Sequence, residues 1–260
     1  MSSLENKVVL VTGAANGIGK DITKLIDRLG CKKIILVDID QDGLNEVSRN
    51  LKTHSISFKV DLSKAVKENK DFLLSMKQEI VDIVICNAGL GGINPGDQYD
   101  EEINRKLMSV NFFGTTGILS LVLPSMLERK SGHIVGVASL AGLRGMPQAA
   151  SYSASKAAQI TFLESMRLDM KPYNIKVTTI LPGFIKTKMA DHNEFKMPFM
   201  LSSEKTAMKV ISSIMRDKKT VYFPFPMNIL SLLNKFLPVW LYDRVILLIN
   251  PATKKNAKIF

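Results

Sequence analysis

Ser139, Tyr152 and Lys156 are the residues of this chain whose types and spacing could do proton chemistry. They lie in the stretches HIVGVASLAG and AASYSASKAA. Tyr152 and Lys156 stand four positions apart, so on a helix they share one face. An ammonium there favours the phenolate, and a tyrosine lowered from its ordinary pKa of about 10 can exchange protons near neutral pH. A nearby serine hydroxyl could steady the oxygen on which charge develops. Taken singly, each has a plainer explanation. Y-x-x-x-K pairs occur by chance on many helices, and Ser139 could simply satisfy backbone groups at a strand end.

A second group lies upstream. In TGAANGIG, Gly13, Gly17 and Gly19 follow the apolar run Val8–Thr12 and open a helical pattern. Glycines so placed permit a tight turn and a close approach of pyrophosphate, which the unpaired N–H groups and dipole of a helix N-terminus attract. Asp38 ends the next predicted strand, where a carboxylate bonds the ribose hydroxyls of an adenosine. It would repel the extra phosphate of NADP, and neither Asn16 nor Ile39 offers a compensating cation, so NAD is the expected cofactor. Asp61 is expected at the adenine amino group, although an ordinary strand-end carboxylate explains it equally well. Ile18 and Leu62 are also expected to bind the cofactor.

The elements that must position these groups alternate. Apolar runs of strand length occupy Val8–Thr12, Ile34–Asp38, Ile56–Asp61, Asp82–Cys86, His133–Ser139 and Lys176–Leu181. Helical patterns fill Gly17–Leu29, Asp42–Lys52, Ser63–Glu79, Asp100–Leu127 and Ser151–Lys171. Strand–helix alternation predicts a Rossmann-like, doubly wound parallel α/β sheet of about seven strands, with helices on both faces. Ligands of such sheets bind at the carboxyl ends of the strands, where the Gly, Asp, Asn and Ser residues collect here. No repeat or polar linker divides residues 1–260, so one catalytic domain is expected.

Together these pieces resemble the short-chain dehydrogenase/reductase family from about Lys7 to Thr187. TGAANGIG is similar to its T-G-x-x-x-G-x-G loop. CNAG resembles its N-N-A-G element, with Cys86 in place of the first asparagine and Asn87, Ala88 and Gly89 retained. Asn111 matches the family's helix asparagine, Ser139 its serine, and Tyr152 and Lys156 its Y-x-x-x-K pair. PGFIKT, with Pro182, Gly183, Ile185 and Thr187, resembles the segment that wraps the nicotinamide amide. The resemblance implies that Tyr152 acts as general acid or base, that Lys156 lowers its pKa and bonds the nicotinamide ribose, and that Ser139 binds the substrate oxygen. It also implies that Asn111 holds a water that replenishes protons. A homo-oligomer is expected, although the family's usual V-D-G-G ending is replaced here by TVYFPFP.

After Pro182 the texture changes. A substrate lid is expected over residues 184–216, with Met189, Phe195, Met197, Phe199 and Met200 suited to a bulky apolar alcohol or ketone, lipid-like or steroid-like. Residues 224–260 form an apolar extension, read as helices Met227–Leu237 and Val239–Ile249 broken by Pro238. It could roof the pocket, form a subunit interface, or touch a membrane peripherally.

Charge is uneven. The chain carries a formal +11, and residues 131–260 supply all of it, with 18 basic against 7 acidic side chains. An acidic partner, an anionic ligand or a membrane surface would explain the asymmetry, as would a solvated lysine-rich face. Nucleic acid is not expected, because no arginine-rich recognition helix or RNA-binding aromatic motif is present. Cys31 and Cys86 lack metal-ligand spacing, and no metal site is expected. A reducing, cytoplasmic location fits both cysteines and the lack of a visible signal sequence.

The leading expectation is an NAD(H)-dependent oxidoreductase interconverting a secondary alcohol and a ketone. A 3-oxoacyl thioester reductase using NADPH is one alternative, and an acidic carrier would account for the basic half. A non-catalytic binding or membrane-associated protein on the same fold is another.

Overall fold

The computed structural model describes residues 4–186 and 199–249. Nine strands occur among them: β1 (Val8–Thr12), β2 (Lys33–Asp38), β3 (Ser55–Lys59), β4 (Ile83–Cys86), β5 (Gly132–Val137), β6 (Ile175–Pro182), β7 (Ile185–Lys186), β8 (Leu201–Ser202) and β9 (Thr220–Phe223). Seven form one parallel sheet in the order β3-β2-β1-β4-β5-β6-β9, and β7 pairs with β8 separately. The order reverses between β1 and β4, which opens a crevice beyond their carboxyl ends.

Helices cover both faces. On one side, α1 (Gly17–Arg28), α2 (Gln41–Arg49) and α7 (Ser203–Met215) bury Ile22, Ile26, Leu44, Val210 and Ile214 against Val9, Val11, Leu36 and Ile85. On the other, α3 (Lys70–Met76), α5 (Gly114–Arg129) and α6 (Ala150–Asp169) pack Phe72, Ile118, Met126 and Leu163 against Leu10, Ile35, Val84 and Ile134. Alternate strand residues serve opposite cores, as the period-2 geometry of a strand requires.

Two predicted helices are interrupted. The span expected as Ser63–Glu79 is a short turn at Val66–Glu68 followed by α3, because the Asn69 side chain accepts from Phe72 N and starts a new helix. The span expected as Asp100–Leu127 divides into α4 (Glu101–Met108), a wide π-turn at Ser109–Phe113, and α5. Such turns often mark functional positions, and this one carries Asn111. Taken together, Glu101–Arg129 is long and apolar enough to cross a membrane by length and composition. Its Ile118, Leu119, Val122 and Met126 nevertheless pack into the core.

Asp61 and Ser139 fall just beyond β3 and β5 rather than inside them. The extension folds into α8 (Met227–Phe236) and α9 (Val239–Ile249), separated at Pro238 as expected.

Candidate active site

The glycine loop closes tightly on its own helix. A Cβ on Gly19 would fall 1.9 Å from the Gly13 carbonyl oxygen, so only glycine fits where α1 meets the loop. Asn16 caps α1 without a side-chain bond to its backbone, and no acidic residue lies in the first turn. That end therefore suits an anion. Asn87 ties β4 to the loop: its Nδ2 donates to the Thr12 and Gly13 carbonyls at 3.1 and 3.4 Å, and its own N–H and that of Ala88 reach Thr12 Oγ1.

Asp38 has a structural task as well. Its carboxylate accepts from Ala15 N and Asp40 N at 3.0 Å each. Asp40, a residue that the spacing of the motifs does not single out, accepts from Asn16 Nδ2 at 2.8 Å and caps α2. Two carboxylates thus flank this corner of the crevice. Asp61 Oδ1 accepts from Ser63 N and Oγ, and the hydroxyl bond holds its carboxyl below the usual range. Leu62 packs against Gly114 at the start of α5. Ile18 lies half-buried against the core.

At the reactive end, several predicted residues converge. A Cβ placed on Gly89 would lie 3.1 Å from Asn111 Oδ1 and 3.3 Å from Lys156 Nζ, so the bare glycine lets both approach. Asn111 is fully buried in the π-turn. Its Oδ1 accepts from Leu90 N at 2.7 Å, while Nδ2 donates to Leu90 O and Ser155 Oγ at 3.0 and 2.9 Å. Its amide is therefore taken up by protein groups, which fixes the residue in the turn.

Lys156 is buried, and its ammonium donates to Val137 O and Gln159 Oε1 at 3.1 Å each. Burial holds its pKa down to about 8, so the side chain remains mainly charged at pH 7. Burial also raises the Tyr152 pKa, and a hydrogen bond with Ser139 acts against that rise. Ser139 Oγ accepts from Ala141 N at 3.1 Å and lies a long 3.5 Å from Pro182 O, which leaves its proton for the Tyr152 phenol.

Gln159 and Thr115 join the site without belonging to any motif in the sequence. Lys156 can only donate, which fixes Gln159 Oε1 toward it and Nε2 toward Thr115 Oγ1 at 3.0 Å. The threonine hydroxyl then donates to the Asn111 carbonyl, also at 3.0 Å. Polar residues three or four positions from a predicted site residue on otherwise packed helices are the signal that could have found them. Buried Asn94 is another such residue: it bonds Asp100 and Ser151 Oγ and pins the preceding loop to the start of α6.

Pro182 ends β6, Gly183 N donates to Phe223 O at 2.7 Å, and Ile185 is buried. Thr187, Met189, Phe195 and Met197 lie outside the described residues; Phe199 and Met200 are exposed before β8. Among the described residues, no group of three or more His, Cys, Asp and Glu could hold a metal.

The sequence model of the short chain dehydrogenase family matches residues 7–197. The chain belongs to this oxidoreductase family. Among relatives of the short-chain dehydrogenase, an uncharacterized oxidoreductase of Myxococcus xanthus is 33% identical over 247 residues, covering 94% of this chain and 97% of that protein. Human 17-beta-hydroxysteroid dehydrogenase 13 is 32% identical over 246 residues, covering 91% of this chain and 81% of its own length. A short chain dehydrogenase from Burkholderia cenocepacia, solved in complex with NADP, superposes with a TM-score of 0.82 at 24% identity. That match covers 95% of this chain and 99% of the other. The superposition confirms the fold of this short-chain dehydrogenase over nearly its whole length.

Proposed function

We propose that this short-chain dehydrogenase is an NAD(H)-dependent enzyme that interconverts a secondary alcohol and a ketone on an apolar substrate. The observation that carries this reading is the convergence of Gly89, Asn111 and Lys156 on one point at the carboxyl ends of the strands. The phenol of Tyr152 bonds Ser139, two residues beyond the Val137 carbonyl that holds Lys156.

The residues fit a nicotinamide dinucleotide. Its pyrophosphate would lie on the acid-free N-terminus of α1, its adenosine ribose by Asp38, and its nicotinamide ribose by Lys156. Bound there, the nicotinamide supplies hydride exchange with the substrate carbon. Asp40 strengthens the case for NAD, because a second carboxylate beside Asp38 adds to repulsion of a 2′-phosphate.

Tyr152 donates its phenolic proton to the substrate oxygen in reduction and removes the hydroxyl proton in oxidation. Burial alone makes it a weaker acid and leaves little phenolate near neutral pH. The Ser139 bond and the Lys156 charge favour the phenolate, and lowering the phenol by one pKa unit takes about 1.4 kcal/mol of such preference. Ser139, whose hydroxyl can turn from the phenol, donates to the substrate oxygen as charge develops. Gln159 and Val137 O hold Lys156 by two of its three N–H groups, leaving the third for the reacting side.

Purified protein assayed with NADH and NADPH against steroid, acyl and aromatic carbonyls tests the reading. At least tenfold better turnover with NADH on a ring-containing or long-chain ketone is expected. A preference for NADPH would overturn the role given to Asp38 and Asp40. Turnover confined to 3-oxoacyl thioesters would overturn the substrate class.

A further inference from the structure

The C-terminal helices are built the wrong way round for a helix pair in water. α8 buries none of its residues. Its most exposed positions include Ile229, Leu230, Leu233 and Phe236, whose spacing places them along one face. Val239 and Trp240 continue the patch past Pro238, with Phe236 78% and Trp240 62% exposed.

Polar contacts fix the inner side instead. The Arg144 guanidinium donates to Asn234 O and Leu237 O at 2.5 and 2.7 Å and lies 3.8 Å from the centre of the Tyr242 ring. The Tyr242 hydroxyl donates to Gly145 O. Both anchors belong to the loop that follows Ser139. The patch therefore cannot turn inward as a pocket roof without breaking them.

We propose that α8 and α9 form a docking surface for an anionic lipid bilayer. Charge selects this occupant. Residues 224–260 carry five basic side chains, Lys235, Arg244, Lys254, Lys255 and Lys258, against one acidic, Asp243. Exposed Leu, Phe and Trp beside Lys and Arg suit the boundary between acyl chains and anionic headgroups. Arg244 lies 5.8 Å from the Trp240 ring, a pairing suited to the headgroup level. A second copy seated on the same face would set Lys235 and Arg244 of each chain against those of the other, with Asp243 the one acid on α8 and α9 to offset them. Docking also places the loop after Ser139 next to the bilayer, so an apolar substrate would enter from lipid. That last consequence rests on the proposed function; the docking itself does not.

Trp240 is the chain's single tryptophan, so its emission reports this surface alone. The full chain is mixed with vesicles of phosphatidylcholine, with and without phosphatidylglycerol, and followed by fluorescence and flotation. The expected result is a blue shift and co-flotation with the anionic vesicles, weakened by salt. Leu233→Glu and, separately, Phe236→Asp should each lower vesicle partitioning about tenfold or more, since burying either side chain contributes roughly that factor. Circular dichroism and turnover of a water-soluble ketone should remain unchanged in both. No shift and no flotation with anionic vesicles would overturn the proposal. So would a concentration-dependent dimer whose Trp240 emission ignores lipid. Equal binding to neutral vesicles would overturn the headgroup selectivity. Vesicle binding without any turnover would leave docking standing and count only against the proposed enzyme.

Discussion

The two ends of β5 bury polar side chains to opposite effect. At its amino end, His133 is buried with Nε2 2.8 Å from Thr178 Oγ1, and that hydroxyl donates to Lys218 O at 2.6 Å. Because the hydroxyl has given its only proton, Nε2 must carry the imidazole hydrogen. Every polar atom in that chain has a set direction. Beyond the carboxyl end, Ser139 makes only a long 3.5 Å contact to a carbonyl and turns its proton to the Tyr152 phenol, and Lys156 has two protein acceptors for three N–H groups. One end is closed and structural. The other keeps donors in reserve, which is what a site that must bind a changing oxygen requires.

The largest effect that tests this contrast is on turnover. Tyr152→Phe removes the proposed proton donor but leaves the ring, the loop and α6 in place. Turnover should fall by about 10²–10⁴-fold, the range for losing a general acid or base. NADH affinity, measured by fluorescence titration, should stay within a few-fold. Retained turnover would show that the open end of β5 is not the reacting end.

The closed end should show itself in stability instead. Burial lowers the His133 pKa from 6.5 to about 4; nearby Asp217 raises it and Lys176 adds to the lowering. The unfolded chain therefore binds the extra proton between pH 6.5 and 4, and stability falls as pH drops through that window. The full contribution is present above pH 6.5 and is worth about 3 kcal/mol, lost by pH 4. His133→Gln, which keeps an N–H for Thr178, should flatten that part of the denaturation profile and leave turnover at pH 7 unchanged. An unaltered acid slope would mean that other groups set it.

The same contrast explains what the sequence makes legible. Sheet and helices are legible because they follow from period, which is local, while the Gly–Asn–Ser–Tyr–Lys set is read through its resemblance to the family's motifs. The π-turn at Asn111 is not, because its cause is a side chain bonding Leu90 and Ser155 across the fold. Asp40 is hidden for the same reason: on the chain it is an ordinary helix cap, and only the fold sets it beside Asn16 and Asp38. The extension is legible as apolar helices, but not which side faces out, because Arg144 and Tyr242 decide that across 90 and 97 residues of chain.

The smallest effect is the sharpest probe of the open end. Gln159 accepts one of the Lys156 N–H groups and gives its own to Thr115, so it positions the ammonium without touching substrate. Gln159→Leu removes an acceptor that favours the charged lysine. The Lys156 pKa should then fall further below about 8, moving the alkaline limb of the reduction profile about one pH unit lower, the scale of a hydrogen bond to a charged group. Gln159→Glu should move the limb the opposite way, because a carboxylate beside the ammonium favours its charge. A structural role alone would lower activity in both variants without moving the limb in opposite directions. Opposite movements would place Gln159 in the machinery that keeps Lys156 charged, while parallel losses with an unmoved limb would return it to the core.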